Sequence, residues 1–272
     1  VEERHIQAKG GMGVLFLLLF LMAISIAAVV FGIIFLAEES FVLGGILLGV
    51  GILFSCVVGP ILFAGLKVLK PNEALVLTLF GQYYGTLTGP GFFYVNPFVT
   101  AVNPAAQPAG ALQSSSDPGT AALQAAGQVM TSGKKISLKA MTLNNEKQKI
   151  NDKLGNPIII GIVVIWRVTN TAKAVFNVDN YKEFLSIQCD SALRNVVRLY
   201  PYDISEDGDG VEEKSLRGSS QEIADILKEE IQKKVEIAGL EISEARITHL
   251  AYAPEIAVAM LQRQQACASI DA

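Results

Sequence analysis

The stretch FLAEESFV, residues 35–42, places two adjacent carboxylates between the two most apolar runs of the chain. From Gly10 to Leu66 the only charged residues are Glu38 and Glu39. Gly10–Ala37 is an uncharged run of 28 residues, and Phe41–Leu66 is another of 26. Roughly 20 apolar residues carry a helix across the hydrocarbon of a bilayer, so each run is long enough to span. Two carboxylates are costly in hydrocarbon, so Glu38 and Glu39 mark a membrane turn that reaches water. The expectation is a transmembrane helical hairpin with helices over about 10–37 and 41–66. A cleavable signal peptide has a shorter apolar region and a small-residue cleavage site, and here a second run follows at once. A buried core hairpin is the alternative, but uncharged runs of this length are unusual in soluble domains.

Both open ends of such a hairpin lie on one side of the membrane. They carry Arg4 and Lys9 before the first span and Lys67 and Lys70 after the second, whereas the turn carries neither Lys nor Arg. The excess of Lys and Arg marks the cytoplasmic side. Residues 1–9 are therefore expected to form a cytoplasmic arm, and everything after Lys67 to face the cytoplasm, from a plasma membrane or a bacterial inner membrane. Small residues at four-residue spacing let helix backbones approach closely in lipid. Ala28 and Gly32 have that spacing in the first span, Gly45 and Gly49 in the second. They point to a packed hairpin or to a seam between subunits; chance is the competing explanation, glycine being common in membrane helices.

The 272 residues are 51% hydrophobic, with a mean hydropathy of +0.40. That excess is local, and beyond Leu66 the composition is that of an ordinary α/β chain. The length holds a membrane anchor plus one or two small domains. A net charge of −4 argues against a nucleic-acid partner, which needs a concentrated basic surface. Cys56, Cys189 and Cys267 are widely spaced and form no CxxC, which fits a reducing compartment without a disulfide framework. The chain starts at Val1 and ends at Ala272 inside a helical pattern, so a longer polypeptide is expected.

Residues 69–98 are β-rich, with a strand over Ala74–Phe80 and turns at Gly85, Gly89, Pro90 and Gly91. Phe92, Phe93 and Tyr94 follow a turn close to the anchor and either dip into the bilayer or join the core. Residues 104–133, rich in Ala, Gln, Pro, Ser and Gly, form an exposed flexible insertion in a first subdomain over 67–134. In a second subdomain over 135–253, Lys135–Met141 and Lys147–Lys153 suggest a strand pair. IIIGIVVIWRVT (158–169) is apolar on both faces, as in a central strand covered on both sides, with Trp166 in the core. Tyr181–Tyr200 has the spacing of an amphipathic helix. Ser219 and Glu222 suggest a capping box for a helix that Gly239 ends. Leu240–Leu250 is a strand, and Pro254 opens a last helix over 254–272.

Catalytic material is sparse. His5 and His249 are the only histidines, and neither has a metal-ligating neighbour in sequence. GQVMTSGK (127–134) has one residue too many between its glycines for a phosphate loop, and Lys135 stands where Ser or Thr is needed. DISEDGDGVEEK (203–214) has Ser205 at the third position of a calcium loop and Lys214 where the bidentate Glu belongs, so it is a solvated acidic loop. No catalytic constellation, cofactor site or metal site follows.

LTGPGFFYVNPF (87–98), the run from Ile158 to Asn195 with its W-R-V and A-L-R-N-V, and GLEISEARITHLAYAPEIAVAMLQRQQ (239–265) occur in that order. Together they resemble the SPFH or band-7 family of stomatins, prohibitins and flotillins, including bacterial slipin-like members, over about residues 67–272. The turn residues are Gly89, Pro90, Gly91, Pro97 and Phe98. With the hairpin read from the apolar runs, the expectation is an α+β chain in which, as the resemblance implies, a two-part SPFH domain and the start of a long C-terminal helix follow the membrane anchor. The resemblance also implies a non-enzymatic scaffold that assembles with itself into a large ring or cage on lipid. Such an assembly segregates a membrane microdomain and confines or regulates integral proteases or channels. The two long spans and the 104–133 insertion depart from the common family pattern.

Glu255–Ala272 has small residues with Met260, Leu261 and Ile270, and one acid–base contrast between Glu255 and Arg263. Such a helix is not stable alone in water and needs neighbours. With Pro254 at its start, it is expected to begin an oligomeric, coiled-coil wall. Two other readings stand beside the scaffold: a membrane-bound, protease-like enzyme whose active site lies beyond Ala272, and a dedicated subunit of one protease or channel.

Overall fold

The computed structural model describes residues 2–37, 41–106, 133–203, 214–260 and 262. Glu38, Glu39, Leu261, Arg263 and Ile270 lie outside them, as do most of the 104–133 insertion and the 203–214 loop. The chain divides into two compact units, residues 2–137 and 138 onward.

The first unit contains both apolar runs as helices. Helix α1 is Gly11–Ala37. The second run is α2, Phe41–Leu53, a π-helical turn at Phe54–Val58, and α3, Gly59–Ala64. The spans of 27 and 24 residues are long and apolar enough to cross a membrane, and 11% of each apolar window is buried. A soluble core helix would hide most of its side chains; here Phe16, Phe20, Phe31, Phe41 and Val42 are all exposed.

Around the open end of the hairpin lie short strands: β1 (Lys9–Gly10), β2 (Leu66–Leu69), β3 (Glu73–Leu79), β4 (Gln82–Thr88), β5 (Gly91–Tyr94), β6 (Thr100–Ala101) and β7 (Ile136–Ser137). One sheet has the order β1-β5-β2; the other is β4-β3-β6, with β7 also on β3. They share a core of Leu69, Leu75, Leu77, Leu87, Val95 and Val99. Strand β3 stops one residue short of the expected Phe80. Leu79 pairs with Gln82 across a two-residue loop in which Phe80 has φ +49° and Gly81 φ +84°, the backbone of a type I′ hairpin.

The N-terminal arm is not free. Thr86 N–H donates to Arg4 O, Ile6 N–H to Thr86 O, and Lys9 pairs with Tyr94. Chain from before the first span is therefore woven into chain from after the second. For helices that span, this holds both open ends on the same side.

The second unit is a sheet of β8 (Met141–Asn144), β9 (Gln148–Asn151), β10 (Pro157–Val168) and β11 (Leu240–Tyr252). Strand β10 is central, with β11 on one side and β8 and β9 on the other. The expected pairing of 135–141 with 147–153 does not occur: β7 joins β3, and β8 and β9 each pair with β10. Strands β8 and β9 find the long apolar strand a better template than each other. Helices α4 (Thr171–Phe176), α5 (Tyr181–Val197) and α6 (Ser220–Val235) complete the unit.

The even-numbered residues of β10, from Ile158 to Val168, are buried, and Trp166 lies edge-on to Tyr181 of α5 at 6.1 Å. The opposite face differs from expectation: Ile159, Val163 and Ile165 are only half-buried. Their cross-strand neighbours are polar, Asn144 and Arg246 beside Val163, Thr142 and Glu244 beside Ile165. Polar residues flank that face where a second layer was expected. The capping box is absent too. Ser219 makes no cap hydrogen bond, and Glu222 pairs with Lys214 at 2.7 Å. Gly239 does end the helical segment, at φ +65°, and its carbonyl accepts from both Thr169 N–H and Asn170 N–H.

Candidate functional site

Helices α1 and α2 meet along a seam of small residues. The buried positions of α1 are Gly11, Leu18, Ser25 and Gly32, seven residues apart. Those of the second span are Gly44 and Gly51, then Gly59 after a step of eight. The π-helical turn holds one residue more per turn than an α-helix, and it lies within that longer step. A Cβ on Gly32 would stand 2.8 Å from Leu48 N, and one on Gly44 2.8 Å from Leu36 N. The backbones touch because neither position has a side chain. Ser25 Oγ donates to Gly51 O at 2.8 Å and lies 2.7 Å from Ser55 Oγ, a polar clasp inside the apolar pair.

Of the residues singled out from spacing, Gly32 lies in this seam and Ala28 is half-buried at its margin. Gly45 and Gly49 are exposed, with nothing within 4 Å of an added Cβ. They face away from α1. The four-residue motif missed Ser25, Gly44, Gly51 and Gly59; a search for small residues at seven-residue spacing would have found most of them.

Below the hairpin, the helix ends rest on β5. A Cβ on Gly11 would come 2.8 Å from Phe92 Cδ1, and one on Gly65 2.8 Å from Tyr94 Cε2. Val95 N–H donates to Gly65 O at 2.9 Å. In the family turn Gly89 has φ +96° and precedes Pro90 and Gly91. Beyond Pro97, Phe98 is 58% exposed, with its N–H donating to Asn96 Oδ1. Lys67 is half-buried, and burial first, then the charge of Lys134, lowers its pKa.

In the second unit a groove of mixed polar and apolar lining and an apolar knob lie at opposite ends of α5, about 25 Å apart for a helix of 17 residues. At its start, an open groove of about 480 Å3 is lined by Phe176, Asp179, Glu183, Phe184 and Ile187 among others, with no Lys or Arg in its wall. Ile187 is 56% exposed. At its end, Leu199 and Leu154 stand out of the surface at 63% and 59% exposure, held together by Lys153 N–H donating to Tyr200 O. Exposed Arg198 and Lys153 flank them.

The last segment is helical from Pro254 to Met260, with Met260 half-buried. Lys149 pairs with Glu255 at 2.6 Å. Among the described residues no three His, Cys, Asp or Glu converge as metal ligands. Burial, then Asp190, pushes the Cys189 thiol up to about 12, which leaves it un-ionised and inert. Asp152 is buried, but its carboxylate accepts from Leu154, Asn156 and Tyr202 N–H and closes a turn. His249 lies opposite Gly161 in the sheet.

Comparison with curated proteins gives no match. The SPFH domain / Band 7 family profile matches residues 67–272, from the end of the second span through both β-containing units, and the chain belongs to that family, whose members are generally non-enzymatic membrane scaffolds.

Proposed function

We propose that this chain is a membrane-anchored scaffold that assembles head to tail with copies of itself into a closed ring or cage. The observation that carries this reading is the pair of unlike surface features at the two ends of α5, a groove with acidic residues in its wall and an apolar knob flanked by basic ones. A heterologous contact needs two different, complementary patches on one subunit, and it closes into a ring when the rotation allows. The groove carries Asp179 and Glu183, whereas the Leu154–Leu199 knob carries Lys153 and Arg198. Opposite charge at the rims favours knob in groove over groove to groove. The helix that starts at Pro254 continues the assembly as its wall.

In this reading the Lys and Arg at both open ends place the SPFH domain in the cytoplasm, and Glu38 and Glu39 on the far side. The partners are membrane lipids, further copies of the chain and an integral protease or channel confined by the ring; nucleic acid is not among them. Gly45 and Gly49 face away from the hairpin seam and offer a close approach to a neighbouring subunit's helix.

The test is particle size in mild detergent by negative-stain microscopy, paired with Leu154→Cys/Ile187→Cys cross-linking. Closed rings or domes and a ladder of cross-linked oligomers are expected. Discrete monomers or dimers overturn the scaffold reading. Rings without cross-links keep the scaffold but reject this contact.

A further inference from the structure

The small sheet β1-β5-β2 has two faces with different surroundings. Leu69 and Phe93 point to the core of the first unit. Side chains alternate along a strand, so Val68, Phe92 and Tyr94 belong to the other face. The register agrees: Val68 is directly opposite Phe92, and Leu66 opposite Tyr94. That second face is the one on which the helices land, Gly11 against Phe92 and Gly65 against Tyr94. Both membrane helices therefore end on the same short strand, at positions two residues apart. The strand residues that touch both helix ends lie at the depth of those ends.

The helix ends cover only part of this face. Val68 is 59% exposed, and Phe98, on the turn that carries the chain onward from β5, is 58% exposed. We propose that the outer face of this sheet is seated in the lipid surface, with Val68, Phe92 and Tyr94 forming an interfacial collar around the ends of the hairpin. The occupant is lipid because the face is level with the ends of the spans. A protein partner would have to occupy space that the bilayer fills. The chemistry fits the headgroup boundary, where an aromatic ring keeps its body in the acyl region and a tyrosine hydroxyl in water. The alternation also settles the three aromatics at 92–94: Phe92 and Tyr94 belong to the lipid and Phe93 to the core.

The experiment uses the full chain in nanodiscs, comparing Val68→Trp with the unmodified protein, whose single Trp166 is buried in the second unit and common to both. The added emission is expected to be blue-shifted, to lose most of its intensity in bromine-labelled phosphatidylcholine, and to resist aqueous acrylamide. Phe92→Trp should behave in the same way and Phe93→Trp should not, which keeps the test alive if one variant fails to fold. Acrylamide quenching without bromolipid quenching overturns the proposal. So does emission that neither quencher reaches, which would mean that protein covers the face. Equal bromolipid quenching at 92 and 93 overturns it as well.

Discussion

Replacing Gly32 with Ala tests whether backbone contact holds the hairpin. The new methyl would stand 2.8 Å from Leu48 N and 3.1 Å from Gly44 O, where ordinary contact begins near 3.4 Å. All the nearest atoms are backbone, so no side chain can swing aside, and the helices must part by about 0.5 Å or more. A gap of about that size forfeits a quarter to a half of each atom–atom attraction along the seam, each worth about 0.1–0.2 kcal/mol. Some tens of such pairs, together with strain on the Ser25–Gly51 and Ser25–Ser55 hydrogen bonds, put the loss at about 1–3 kcal/mol. Gly45→Ala is the matched control: it meets nothing within 4 Å and should leave the hairpin within about 0.5 kcal/mol of wild type. Unfolding in mixed micelles of mild detergent and sodium dodecyl sulfate, followed by circular dichroism, reads the difference. Equal costs at the two positions, or no cost at Gly32, would refute the seam.

Gly239→Ala combines a left-handed backbone with a methyl that collides with Asn170 O, so thermal melts should show a loss of about 2–4 kcal/mol; a loss below about 1 would mean that the α6–β11 junction yields easily. Phe80 is 86% exposed in the left-handed region, so Phe80→Asn should raise stability by about 0.5–1 kcal/mol, and a drop would show that the ring is held by something beyond the hairpin. Burial pushes the Glu73 carboxyl up, but the Lys135 ammonium at 3.0 Å and the Lys70 N–H outweigh it and hold its pKa below the ordinary 4.5. A depressed carboxylate stabilises the fold fully above its unfolded pKa and loses that contribution as pH falls through its folded pKa. The melting-temperature gap between wild type and Glu73→Gln should therefore be widest near neutral pH and close below pH 4.5; a gap independent of pH would remove the pair from the account.

The two apolar helices and the central strand β10 were legible because each announces itself within one window: long uncharged runs, and a β-branched run too short to span. Helix α5 and the stop at Gly239 were legible for the same local reason. What escaped depends on partners far away in sequence. Nothing in Arg4–Ile6 signals that it will bond to Thr86, across both spans. The segments 135–141 and 147–153 looked like partners because they are neighbours, but 136–137 joins β3, and β8 and β9 both pair with the edge of β10 that β11 leaves open. Gly45 and Gly49 matched the familiar four-residue spacing, yet the hairpin closes on a seven-residue spacing, because two nearly antiparallel helices in contact over their length meet every second turn. The α5 spots were invisible as a pair, since Leu154 and Leu199 come together only through the fold.

The π-helical turn at Phe54–Val58 has a consequence for how the second span tolerates changes of length. It acts as an expansion joint. The seven-residue rhythm set by Gly44 and Gly51 would put residue 58 on the seam, and the slack in this turn puts Gly59 there, against Met22. Deleting one residue from the turn would let it tighten into ordinary α-helix with the glycines still in phase. The same deletion between Gly44 and Gly51 would rotate one glycine by about 100° and open the pair. Evolution or an engineer can shorten this span at one place only without unzipping the anchor.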